Sequence, residues 1–90
     1  MSKNNISIID AFLSIRDHSI MDQFLKEIFT DPERKDFELR WEVMKKLRNK
    51  IPQRKIASDL GVSLCKITRG AKILKDKSSI SNTILTKMSD

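Results

Sequence analysis

Only two glycines, Gly61 and Gly70, and two prolines, Pro32 and Pro52, occur among the 90 residues of the chain. A β-sandwich or barrel needs turn residues every ~8–12 positions. This chain has far too few, so the expected fold class is all-α, with about six helices. A domain of this length buries only about 60–65% of its extended surface. Apolar residues make up 39% of it, so its one core is thin. A thin core points to a second chain that shares the packing, as in an obligate homodimer.

Apolar spacing places the helices. Ile8, Ile9, Phe12, Leu13 and Ile15 share one broad face of a first helix, from Ile6 to about Arg16. Ser19 is positioned to start a second, with Asp22 closing a capping box. Ile20, Phe24, Leu25 and Ile28 form the apolar face of that helix. Thr30 or Asp31 caps a third, in which Pro32 suits the first turn because it lacks an N–H where none is needed. This helix runs to about Arg48 and is apolar on two sides. Phe37, Trp41 and Met44 form one stripe, and Leu39, Val43 and Leu47 form another. Two apolar sides need two covers, which fits packing against both the chain's own domain and a second subunit. Pro52 opens a fourth helix that ends near Leu60. Ser63 caps a fifth, Leu64 to about Lys75, and a sixth spans Ile80 to Met88. The whole chain, 1–90, reads as one domain. Core and dimerisation helices occupy 1–48, a compact two-helix unit 52–76, and a helix of the dimer core 79–88.

Charge is unevenly spread. Residues 1–45 hold seven Lys/Arg and nine Asp/Glu, whereas 46–90 hold eleven and three. The first half is therefore −2 and the second +8, a balance that suits a polyanion such as nucleic acid. The single Cys65 excludes an internal disulfide and a cysteine-based metal site, and it points to a reducing, cytoplasmic location. No run of about 18 apolar residues exists to span a membrane. Asp10, Arg16 and Asp17 interrupt any signal-peptide pattern after the Met1–Asn5 start. His18 stands alone. No carboxylate pair, metal cluster or nucleophile–base set stands out, so neither catalytic residues, a metal nor a cofactor is expected.

Residues 53–74 are the most informative. A short helix, a turn containing Gly61 and a second helix make a helix-turn-helix unit. Ala57 is small where the helices cross, Gly61 takes the turn with φ > 0, and Val62 faces inward. Ile56, Leu60 and Ile67 fill the space between the helices. In such a unit the second helix enters the major groove. Ser63, Leu64, Cys65, Lys66 and Thr68 are its outward residues there. Lys66 is suited to guanine O6/N7 and Leu64 to a thymine methyl. Gln53 and Arg54 are placed to grip phosphate at a helix N-terminus, and Lys72 and Lys75 extend the basic face. Gly70 breaks the pattern. It lies on the inward face, where a branched apolar residue ordinarily packs, and costs roughly 0.5–1 kcal/mol against Ala. The space beside it suits either a neighbouring helix or a small ligand next to Arg69.

The run Ile67-Thr68-Arg69-Gly70-Ala71-Lys72-Ile73-Leu74-Lys75 resembles the signature of the tryptophan repressor family. Pro52-Gln53-Arg54-Lys55 and Phe29-Thr30-Asp31-Pro32-Glu33-Arg34 are similar to its matching parts, and the likeness covers roughly residues 25–76. It implies an intertwined, all-helical homodimer that binds double-stranded operator DNA when L-tryptophan, a corepressor, fills a pocket behind the helix-turn-helix. It further implies that Arg40 and Arg69 sandwich the indole ring. Arg69 also pairs with the carboxylate, assisted by the Thr30 hydroxyl. Carbonyls near Glu27 and Phe29 hold the ammonium, and Gly70 leaves room for the ring. The chain departs from the family at Ile73, where a serine that helps hold the amino group is usual, and at Lys66, which replaces a small hydroxyl residue. Arg40 also has a simpler reading, as an ion pair with Asp36 one turn earlier. Two other functions fit the residues: a helix-turn-helix regulator that is constitutive or answers another effector, and a basic module that binds polyanions without sequence preference.

Overall fold

The computed structural model describes residues 5–88. The Met1–Asn5 stretch, read above as no leader, lies outside these residues except for Asn5. Among the described residues there are six helices and no strands. They are α1 (Ile8–Ser14), α2 (His18–Ile28), α3 (Asp31–Arg48), α4 (Gln53–Leu60), α5 (Leu64–Lys75) and α6 (Ile80–Met88). The chain divides into two compact units, one up to Arg34 and one from Lys35 onwards.

In the first unit, α1 is shorter than its apolar spacing predicts. The Ser7 hydroxyl accepts from the Asp10 N–H, and the Asp10 carboxylate accepts from the Ser7 N–H, so a capping box starts the helix at Ile8. The helix stops at Ser14 because Asp17 already caps its successor, which leaves Ile15 extended. That cap corrects the expectation for Ser19. Asp17 Oδ1 accepts from the Ile20 N–H at 3.0 Å, so α2 starts one residue before Ser19, which lies inside it. Asp is as good a cap as Ser, and the upstream one captured the helix start. Phe12 and Phe24 meet edge to face, with ring centroids 5.6 Å apart, a favoured aromatic geometry. No residue of α1 or α2 is buried.

Thr30 caps α3 by a capping box with Glu33, and Arg34 Nη1 donates to the Phe29 carbonyl at 3.0 Å. In the second unit the core is small. Val43 of α3, Ile56 of α4 and Ile67 of α5 are almost wholly buried. Leu47, Ile51, Ala57, Leu60 and Val62 pack around them; the spacing predicts Ala57, Leu60 and Val62 here, and Ile51 is an addition. Gly61 is left-handed (φ 64°, ψ 35°) and ends α4. The N–H groups of Gly61 and Val62 both reach the Ala57 carbonyl, a glycine C-cap that satisfies an otherwise orphaned acceptor. Ser63 Oγ then accepts from the Lys66 N–H and starts α5. Helix α3 ends similarly, but with Lys50 in the left-handed region (φ 61°) and the Ile51 N–H bonded to the Lys46 carbonyl. Leu85 of α6 is buried. Asn82 fastens α6 through Nδ2 to the Leu74 carbonyl at 2.7 Å, and its Oδ1 accepts from Arg48. That clamp carries no periodic signal and was not read from the sequence.

Candidate ligand cleft and nucleic-acid interface

Arg40, Met44, Lys66, Arg69, Gly70 and Ile73 line a cleft of about 220 Å³ between α3 and α5. Arg40, Arg69, Gly70 and Ile73, all singled out from the sequence, meet there. They converge because residues 66, 69, 70 and 73 recur at helical spacing on one side of α5. Residues 40 and 44 are one turn apart on α3. Drug-sized pockets start at about 300 Å³, so this cleft suits a ligand of amino-acid size. Its walls are mixed, with Met44 and Ile73 apolar and Arg40, Lys66 and Arg69 cationic.

Gly70 is buried, and its neighbours leave little room for a larger side chain. An added Cβ would meet Leu47 Cδ1 at 3.2 Å, Val43 Cγ1 at 3.4 Å and Met44 Cγ at 3.5 Å. The α3 side chains therefore take up the inward space beside Gly70, and the cleft opens next to it. Of the two readings of that glycine, the packing shows the neighbouring helix.

The cations of the cleft are tied together by one carboxylate. Asp36 Oδ2 is 3.1 Å from Arg40 Nη2, and Asp36 Oδ1 accepts from Lys66 Nζ at 2.8 Å. The Lys66 hydrogen bond holds the Asp36 carboxyl below the usual aspartate range, against partial desolvation, and the Arg40 charge acts in the same direction. Arg69 has no ion-pair partner among the described residues. Glu27, Phe29 and Thr30 belong to the first unit. Glu27 is exposed near the end of α2. The Phe29 carbonyl already accepts from Arg34. The Thr30 hydroxyl is engaged by Glu33.

The other side of α5 is open. Leu64, Cys65, Lys66, Thr68, Arg69 and Lys72 line one shallow depression on it. Leu64 is half exposed, a large apolar side chain facing solvent. The Thr68 hydroxyl turns back to the Leu64 carbonyl at 2.9 Å. Ser63 stands at the helix start, and Lys75 is exposed at its end. Gln53 and Arg54 are exposed in the first turn of α4. The unit thus shows a cationic and polar outer face with a cleft behind it. Among the described residues no group of His, Cys, Asp or Glu could hold a metal ion, and no helix is long and apolar enough to cross a membrane.

The Trp repressor protein family matches residues 4–89, nearly the whole chain. The chain belongs to that family. The Trp operon repressor homologs of Chlamydia trachomatis serovar D and serovar L2 are each 36% identical to it over 70 residues. The match covers 72% of this chain and 74% of either relative. No solved structure matches significantly.

This Trp repressor family member adds residues that sequence reasoning did not assign to the cleft. Met44 was placed in an apolar stripe, and Lys66 on the outer face alone. A faint signal existed for both. Lys66 lies three residues before Arg69, and Met44 four after Arg40, so each shares a helix side with an expected ligand residue. Asp36 was visible only as a possible partner of Arg40. Its bond to Lys66, 30 positions away, needed the packing of α5 on α3.

Proposed function

We propose that this Trp repressor family member is a tryptophan-dependent, DNA-binding transcriptional repressor that works as a homodimer in the cytoplasm, with L-tryptophan as corepressor. The observation that carries the reading is the cleft itself. Two guanidinium groups, Arg40 and Arg69, stand at an amino-acid-sized space beside Gly70 and directly behind the exposed face of α5. Guanidinium planes suit the faces of an indole ring, and Arg69, without an ion pair, suits its carboxylate. Glu27, Phe29 and Thr30 complete the site, the carbonyls coming from the partner subunit.

In this reading α4, the Gly61 turn and α5 act as a helix-turn-helix. Ser63, Leu64, Cys65, Lys66 and Thr68 enter the major groove, while Gln53, Arg54, Lys72 and Lys75 hold phosphate. Helix-turn-helix dimers, the Trp repressor among them, meet half-sites about 34 Å apart, so a ligand wedged behind α5 sets the spacing of two reading helices. Ligand and DNA then favour one conformation, and each must tighten the other. The homodimer is supported by bare apolar surface. Ile9 and Leu13 of α1 and Ile80 and Met88 of α6 are each at least 65% exposed in the single chain, and such surface marks an interface.

The test is calorimetry with L-tryptophan on the wild type, Arg40→Ala and Arg69→Ala, followed by selection of duplexes from a random pool with and without the amino acid. Binding lost in both variants, and sequence-selective retention only with tryptophan, is the expected result. Equal DNA affinity with and without tryptophan would reject the switch. Ile73 favours a second reading, a related effector in place of tryptophan, because its side chain offers the cleft no hydrogen bond. Tighter binding of an indole acid that lacks the amino group would select it.

A further inference from the structure

We propose that Asp36 is a built-in competitor for the ligand's carboxylate: it holds Arg40 and Lys66 at the mouth of the cleft until an anionic ligand displaces it, which releases Lys66 to the DNA. The inference rests on the ligand reading above and gives it a specific trigger. Three cations, Arg40, Lys66 and Arg69, line a cleft that holds about one amino acid. Asp36 binds two of them with separate oxygens, at 3.1 and 2.8 Å. One pair lies within α3, but the other crosses from α3 to the first turn of α5. Asp36 therefore tethers the start of the helix that carries the outer face.

Lys66 cannot serve two anions. Its ammonium is drawn to α3 while Leu64, Cys65 and Thr68 beside it remain exposed. The bridge is strong enough to bias Lys66 and weak enough to open. Asp36 and Lys66 side chains are 38% and 42% exposed, and an ion pair in that setting is worth at most about fivefold in an equilibrium constant. An incoming carboxylate held by Arg69 sets a like charge against the Asp36 carboxylate and pushes it out of the cleft, away from Lys66. The Lys66 ammonium is then free to reach a phosphate oxygen on the open side of α5.

The experiment compares wild type, Asp36→Asn and, as a charge-matched control elsewhere on α3, Glu38→Gln, all as full chains. L-tryptophan and tryptamine, the same ring and amine without a carboxylate, are titrated by calorimetry. The salt dependence of binding to a short random-sequence duplex is measured without ligand. Asp36→Asn is expected to bind L-tryptophan up to about fivefold tighter, with tryptamine little changed. Its log K against log salt should steepen by ~0.9, one extra phosphate contact. Asp36→Asn behaving like Glu38→Gln in both measurements overturns the proposal. A gain for tryptamine equal to that for tryptophan also overturns it, because carboxylate competition cannot produce that. If wild type takes up no L-tryptophan, the corepressor reading falls. The salt slope then decides alone, with a steeper slope in Asp36→Asn supporting the tether and an unchanged one refuting it.

Discussion

Gly70 is where helix propensity and packing oppose each other, and two substitutions separate them. Alanine in a helix interior is favoured over glycine by about 0.8–1 kcal/mol. Against that gain stand three neighbours of the new Cβ, of which only Leu47 Cδ1, at 3.2 Å, is tight. Leu47 is partly exposed and the atom is the end of its side chain, so a shift of a few tenths of an ångström relieves it. Gly70→Ala should therefore leave stability unchanged or raise it by up to about 1 kcal/mol. Gly70→Val differs. Its γ-carbons must enter space held by Val43, which is 2% exposed, and by Met44, at 8%. Overpacking of this kind costs about 1–3 kcal/mol, and valine recovers little propensity in a helix. Urea unfolding at one fixed protein concentration measures both. With a slope of about 1–3 kcal/mol per molar, the valine variant should lose on the order of 1 M in its midpoint. A valine variant as stable as wild type would show that α5 does not lie against α3 as described. An alanine variant weakened by more than about 1 kcal/mol would show that Leu47 cannot yield.

Three further outcomes are expected. Ile67→Ala removes a side chain with no exposed surface from the joint of α3, α4 and α5. It should cost about 2–5 kcal/mol, and a thermal melt that shows a change of less than about 1 kcal/mol would refute its place at the centre of the core. Lys50 holds φ at 61°, where a non-glycine residue is strained by about 1–2 kcal/mol, so Lys50→Gly should raise the unfolding midpoint; a lower one would contradict the left-handed end of α3. The backbone N–H of Thr30, and then its hydroxyl, hold Glu33 below its usual value of 4.5. Because the folded value is the lower one, this contribution is complete above 4.5 and disappears as pH falls through the folded value. Glu33→Gln should therefore show a shallower acid loss of helicity by circular dichroism than wild type, and identical acid limbs would exclude the capping box as a source of stability.

Local chemistry was legible along the chain wherever one side chain acts on the backbone next to it. Thr30 starting α3, Gly61 turning left-handed, Ser63 starting α5 and the Ile80–Met88 helix all follow from residues within four positions of the event. The α2 start was misplaced at Ser19 because Asp17, two residues upstream, is an equally good cap and takes the Ile20 N–H. The membership of Arg40, Arg69, Gly70 and Ile73 in one site came from resemblance to a family, and helical spacing alone could group only the last three. Distances between helices were another matter. That α3 side chains come within 3.5 Å of Gly70's missing Cβ, that Asn82 binds the Leu74 carbonyl, and that Asp36 spans Arg40 and Lys66 depend on where whole helices come to rest. Such contacts join residues 8 to 34 positions apart and leave no period in the sequence. The amino acids decided which segments would be helices and which faces would be greasy or basic. Packing around Val43, Ile56 and Ile67 decided which cations would share one carboxylate, because only a folded core fixes the distance between two helices.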